Sequence, residues 1–103
     1  MWMVSPEKMC RKHLLGEHSE CHMLAGTIKK GISIKGYLEK GLVEAHNIKA
    51  RHDILSEEIS KRGYNHNSPL LHPRFTPIIG KVDVEANIIE LKRRCKECFK
   101  EIK

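Results

Sequence analysis

Fourteen residues near the start of the chain, CRKHLLGEHSECHM, concentrate side chains that can transfer protons or bind metal. Glu17 and Glu20 are three residues apart, and His18 and His22 are four apart. Residues at either spacing share one face of a helix. Carboxylates and imidazoles brought together in this way can serve as general acids or bases, or stabilise a cation. His13 lies one turn before Glu17, so a structural His–Glu hydrogen bond is the alternative that spacing alone favours.

Two patterns in the sequence have the spacing of metal sites. Cys95–Cys98, in CKEC, is spaced as in a zinc knuckle, but zinc needs two further ligands, usually a second close pair. Cys10 and Cys21 are too far apart in sequence to supply that pair. CKEC also falls in an apolar helical stripe, so we interpret it as buried cysteine. We interpret the two histidines of HSECH as surface residues, because no HExxH pattern is present. The sequence therefore predicts no metal site and no cofactor.

Three segments with helical apolar periodicity must position these residues. They cover about residues 6–28, 45–62 and 82–102. The first has Ser5 as a predicted N-cap and Pro6 at the first helical position. Strand signals are weak throughout. The sequence therefore predicts an all-α fold: one compact domain spanning the 103 residues, built as a bundle of three main helices with irregular connecting loops.

The predicted inner faces of the three helices differ in how polar they are. Glu17 interrupts the apolar arc of the first helix, and Glu20 lies at its edge. The second helix buries Ile48, His52, Leu55 and Ile59, and it ends before Gly63. The third carries a stripe of Val84, Ile88, Leu91, Cys95, Cys98 and Ile102. The glycine-punctuated loop after the first helix has room for a short helix. The loop over residues 64–80 is expected to pack through Leu70, Leu71 and Phe75.

Composition and the first residues of the chain indicate which kind of partner and which cellular compartment to expect. The formal net charge is +6 and the isoelectric point is about 9.3, which is typical of a protein with an anionic partner, nucleic acid first, but equally of a basic protein with no such partner. The chain has no apolar stretch approaching the roughly 20 residues of a membrane span. The beginning, MWMVSPEK, lacks the basic and apolar regions of a signal peptide. We therefore expect a cytoplasmic, DNA-associated protein with reduced thiols.

Two segments together resemble a known family. HLLGEHSE, residues 13–20, is similar to a His-Leu-x-x-Glu-x-x-Glu signature. IKARHDILSEEISKRGYN, residues 48–65, is similar to a helix that ends Lys-Arg-Gly-aromatic-Asn. In this order, the two motifs resemble the pyrimidine-dimer DNA glycosylases of the phage endonuclease V type, and the short microbial members more than the phage enzyme. The resemblance covers roughly residues 4–72, and that family is compact and all-α.

The resemblance implies a DNA repair glycosylase with abasic-site lyase activity, which excises damaged pyrimidines through a Schiff base on the N-terminal amine. Here that amine is on Met1, because a residue as bulky as Trp2 normally leaves the initiator methionine in place. The assisting glutamate is Glu20. The family's arginines on either side of it are replaced by Ser19 and Met23. An α-amine in a model compound has a pKa of about 7.7–8.0, so part of it is a neutral nucleophile near pH 7.

The remaining predicted site residues lie on or beside the two resembling segments. Four side chains are expected to shape the site or assist proton transfer: His13, Glu17, His18 and His22. Six are expected to contact DNA: Trp2, Arg11, Lys12, Lys49, Arg51 and His52. We expect the partner to be damaged double-stranded DNA. We expect the protein to be a monomer. Two alternatives stay open: a non-catalytic DNA-binding protein on the same scaffold, and a metal-binding regulator using His18, His22 and cysteines.

Overall fold

The fold is all-α, as predicted. The computed structural model describes residues 1–64 and 80–99. Its α-helices over those residues are α1 (Arg11–Lys29), α2 (Lys35–Glu39), α3 (Ile48–Lys61) and α4 (Val84–Arg94). Short 3-10 helices cover Pro6–Lys8 and Ala45–Asn47, and the described part of the chain has no strand. The three long helices and the short helix after α1 confirm the predicted architecture.

The core lies between α1 and α3, which pack against each other along their apolar faces. Leu14 and Leu24 of α1 and Ile48 and Leu55 of α3 are fully buried. Burying one such side chain contributes about 1.5–3 kcal/mol to folding. The amino-terminal segment and α4 complete this core with Met1, Val4, Met9 and Leu91. The beginning of the chain is therefore part of the packed interior.

The predicted start of the first helix is wrong. Pro6 does begin a helical turn after Ser5, but it is a 3-10 turn that ends at Lys8. Met9 is extended and buried, and α1 begins only after Cys10, whose side chain accepts a hydrogen bond from the His13 backbone N–H. The Met9 carbonyl accepts a hydrogen bond from Arg62 at 2.7 Å. This tertiary contact satisfies a backbone group that a continuous helix would have paired internally.

The last helix begins close to its predicted start, but its predicted end is wrong. Gly80 precedes it with a φ of 92° and packs directly against the Val43 carbonyl, a position with no space for a side chain. Asp83 then caps α4 by accepting from the Ala86 N–H at 3.0 Å. The helix ends at Arg94, so Cys95–Cys98 lies in a turn beyond it and not in a helical stripe. The predicted contributions of Leu70, Leu71, Phe75 and Ile102 lie outside the described residues.

Candidate active site at the amino terminus

The α-amine of Met1 lies against the Glu20 carboxylate and forms an ion pair with it. It also donates a hydrogen bond to the Leu42 carbonyl at 2.7 Å. Met1 is buried, whereas the Glu20 side chain is 34% exposed. Solvent can therefore reach the acid while the amine stays oriented. An amine beside a carboxylate can act as a nucleophile whose proton has an acceptor within reach.

A cavity of about 220 Å³, which we call the amine cavity, opens beside this pair. Its walls are Met1, Trp2, Glu20, Leu42, Asn87, Glu90 and Arg94. The described wall thus carries two carboxylates, one guanidinium and the amine, so the cavity itself is not strongly basic. A larger cavity, of about 540 Å³, lies between the Pro6–Lys8 turn and the end of α3, and neither Met1 nor Glu20 lines it.

One wall of the amine cavity comes from α4. The Asn87 side chain donates hydrogen bonds to the carbonyls of Trp2, at 2.9 Å, and Met1, at 3.4 Å. Glu90 accepts hydrogen bonds from Arg93 and Arg94, which lower its pKa to about 2. Glu90 is therefore ionised throughout the neutral range, and its negative charge lies at the same cavity as the amine.

Glu17 holds the amino-terminal segment indirectly, through Arg51. The Arg51 guanidinium donates to both carboxylate oxygens, at 2.6 and 2.9 Å, and to the Val4 carbonyl at 2.7 Å. Both side chains are buried. Arg51 thus connects α1, α3 and the beginning of the chain. The predicted His13–Glu17 pair is wrong, because Arg51 is the partner of Glu17 and the ring of His13 contacts Cys10.

His18 and His22 are brought together with His52, in a group that includes none of the described cysteines. The Nε2 atoms of His22 and His52 are 3.2 Å apart, and the three rings have centroids 4.7–4.9 Å from one another. His18 and His52 are buried, so His18 is not the surface histidine that was predicted. None of the three lines the amine cavity. The spatial grouping does not support the metal-binding regulator that used these histidines with cysteines.

Two of the predicted DNA contacts are not at the surface. Arg51 is 5% exposed and His52 is 2% exposed. Neither can reach a phosphate in this conformation, because Arg51 is bound to Glu17 and His52 contacts His22 and Asp53. Their burial therefore gives no support to the prediction that they contact DNA directly.

The other four predicted DNA contacts differ in their surroundings. Arg11 and Lys12 are exposed, and Arg11 lies over the Tyr64 ring. Lys49 is partly buried and pairs with Asp53 at 2.9 Å. Trp2 is partly exposed and contacts the edge of the His13 ring. Burial, followed by the charges of Lys12 and Arg94, lowers the pKa of His13. Lys12 and Arg94 are therefore close enough to His13, the ring that Trp2 contacts, to act on it electrostatically.

The family motifs do not include the residues of α4 that line the amine cavity, because α4 follows both resembling segments in the chain. Asn87, Glu90 and Arg94 recur at spacings of three and four, so they share one polar face of α4. That periodic polar face was the available signal. Leu42 contributes through its backbone carbonyl, which no side-chain pattern can reveal.

The fold and the site define a small all-α protein whose first residue presents its amine to a glutamate of the first long helix. A family model described as pyrimidine dimer DNA glycosylase matches residues 1–72. The chain belongs to the pyrimidine dimer DNA glycosylase family, which confirms the resemblance and implies a DNA substrate. Searches of curated proteins and of solved structures found no match. Among the described residues, no helix is both long and apolar enough to cross a membrane.

Proposed function

We propose that this protein is a DNA glycosylase with abasic-site lyase activity, that it excises damaged pyrimidines, and that the Met1 amine is its nucleophile. The observation that carries the proposal is the contact between that amine and the Glu20 carboxylate at a solvent-open cavity. Family membership supports the glycosylase class and a DNA substrate. The lyase step and the covalent mechanism are what the proposal adds.

The geometry supports a division of roles between the two groups. Proton transfer from the ammonium of Met1 to Glu20 leaves a neutral amine whose lone pair can attack C1′ of the sugar. The glycosidic C–N bond breaks, and the base departs with the bonding electrons and takes up a proton. Ring opening gives a Schiff base between the amine and C1′. Removal of a C2′ proton then expels the 3′ phosphate by β-elimination, with Glu20 as the proton carrier.

The DNA must approach from the side on which the cavity opens. A nucleotide has to be extruded to bring C1′ to the amine, which costs a few kcal/mol and is cheaper at a lesion. Trp2 borders the cavity with part of its ring exposed, where it can stack on a base next to the extruded nucleotide. Arg11 and Lys12 are the exposed cations at the start of α1 that would contact phosphates.

Borohydride trapping tests the mechanism directly. The protein incubated with an abasic-site duplex and sodium borohydride should form a covalent adduct, and mass spectrometry should locate it on the Met1 peptide. A Gly-Ser extension before Met1 should abolish trapping, because it moves the amine away from Glu20. N-terminal sequencing checks that Met1 is the first residue of the purified protein.

Variants separate chemistry from binding. Glu20→Gln should slow strand cleavage at least 100-fold while DNA affinity changes less than threefold, in line with the usual contribution of a positioned acid or base of about 10²–10⁴. Glu39→Gln, an exposed glutamate of α2, is the matched control and should cleave normally. An adduct on a lysine, or an adduct that survives the extension, would refute the Met1 nucleophile. DNA binding with no cleavage of any lesion would favour the non-catalytic alternative.

A further inference from the structure

Four side chains beside the amino-terminal turn form a compact group that the proposed reaction does not use. They are Cys10, His13, Cys95 and Cys98, and their ligand atoms all lie within 4.8 Å of one another. The Sγ of Cys10 is 3.1 Å from Nδ1 of His13 and 3.7 Å from Sγ of Cys95. The Sγ of Cys98 is 3.6 Å from the same His13 nitrogen.

We propose that these four residues bind a structural zinc ion as a Cys₃His site. Zinc in such sites is tetrahedral, with Zn–S of about 2.3 Å and Zn–N of about 2.0–2.1 Å, which places ligand sulfurs about 3.8 Å apart and sulfur and nitrogen about 3.6 Å apart. The Cys10–Cys95 and Cys98–His13 separations, 3.7 and 3.6 Å, match these values. The Cys10–His13 separation of 3.1 Å is shorter, and a small side-chain rotation corrects it.

The sequence pattern agrees with this geometry once the fold is known. A zinc site of this class is usually built from two close pairs of ligands. Cys10 and His13 form a C-x-x-H pair, and Cys95 and Cys98 form a C-x-x-C pair, 85 residues further along the chain. Each pair lies at a helix end: Cys10 and His13 are the N-cap and a first-turn residue of α1, and Cys95 and Cys98 follow α4. The arrangement is not visible when only cysteines are considered as the second pair, because one member of that pair is His13.

Backbone contacts hold the two pairs together independently of any metal. The Cys10 N–H donates to Sγ of Cys98 at 3.2 Å, a contact that suits a thiolate because the N–H dipole stabilises negative charge. The Phe99 N–H donates to the Lys8 carbonyl at 2.5 Å. Binding would displace three thiol protons and leave the zinc site with a net charge of −1. Lys12 and Arg94, which are both close to His13, offset that charge.

Four protein ligands leave no open position on the ion, so its role is structural and not catalytic. The site would join the segment that matches the family, residues 1–72, to the segment that follows it. Its position at the end of α4 would fix the wall of the amine cavity that carries Asn87 and Arg94. The zinc proposal does not depend on the proposed reaction and is tested by metal content and coordination.

Zinc should copurify with the full chain, expressed without a histidine tag and purified without chelators, at one ion per chain by mass spectrometry of the metal. Cys95→Ser and Cys98→Ser should lose it. Cys21→Ala, which removes a fully buried cysteine outside the group, should retain it. Cys95→His should also retain it, because Cys₂His₂ is an equally good zinc ligand set.

X-ray absorption at the zinc edge of the unmodified protein keeps the test decisive if a serine variant fails to fold. The expected shell is three sulfurs at about 2.3 Å and one nitrogen at about 2.0–2.1 Å. A shell of nitrogen alone, or zinc that is lost in His22→Ala but kept in Cys95→Ser, would place the metal at the histidine cluster and overturn the proposal. The zinc proposal would also be overturned if no zinc copurified, or if Cys10 and Cys95 formed a disulfide that persisted in protein purified with a reductant.

Discussion

Replacing Glu17 with glutamine should destabilise the fold by about 3–5 kcal/mol, because it leaves the buried Arg51 guanidinium without its counter-ion. The Glu17 side chain is fully buried and Arg51 is 5% exposed, so water cannot screen the uncompensated charge. Two charge-assisted hydrogen bonds, of 2.6 and 2.9 Å, are weakened at the same time. A domain of this size has a free energy of unfolding of roughly 5–15 kcal/mol, so the loss is a large part of the total.

Urea denaturation at pH 7 measures this loss as a lower midpoint at an unchanged slope. Glu57→Gln is the matched control, since Glu57 is an exposed residue of α3, and its effect should stay within about 0.5 kcal/mol. The double variant Glu17→Leu/Arg51→Met should recover most of the loss, because well-packed apolar residues often replace a buried ion pair at little cost. Equal midpoints for Glu17→Gln and Glu57→Gln would refute the reasoning.

Three further perturbations test the parts of the fold that surround the site. Asn87→Ala removes the hydrogen bond to the Trp2 carbonyl and should cost about 1 kcal/mol in urea denaturation, with abasic-site cleavage slowed and DNA affinity unchanged by gel shift. Leu91→Ala should cost about 2–5 kcal/mol because Leu91 is fully buried on α4, whereas Ile89→Ala, at a side chain that is 69% exposed, should stay within about 0.5 kcal/mol. Asp53→Asn should lower the thermal midpoint slightly at pH 7. Partial burial raises the pKa of Asp53, but hydrogen bonds from His52 and Lys49 outweigh it and lower this pKa below 3.8. The ionised carboxylate therefore stabilises the fold above that pH, and this stabilisation is lost as the pH falls further.

The amino-acid sequence by itself determined the helical class and the inner faces of α1 and α3. It did not determine the inner face of α4, because Val84, which was predicted to be on the apolar stripe, is exposed and only Leu91 of that helix is buried. Ile48, Leu55 and Ile59 are buried as the helical period requires, and Gly63 ends α3 with a φ of 85°. These features are local, because a period of 3.6 residues and a glycine in the left-handed region act within a few residues. The family motifs also led to Glu20 and to the Met1 amine, whose contact the structure places at the amine cavity.

Only the tertiary structure decided which distant groups meet. Arg51 satisfies Glu17 across 34 residues, so a residue that resembles a DNA contact is a buried counter-ion. Cys10 and Cys95 approach across 85 residues, because α1 begins late and α4 ends early. Helix ends respond to long-range hydrogen bonds such as that from Arg62 to Met9, which no local pattern encodes. The physical reason is the same in each case. The packing of the helices decides which side chain meets a buried charge and which side chains come together as a possible ligand set, and spacing along the chain does not.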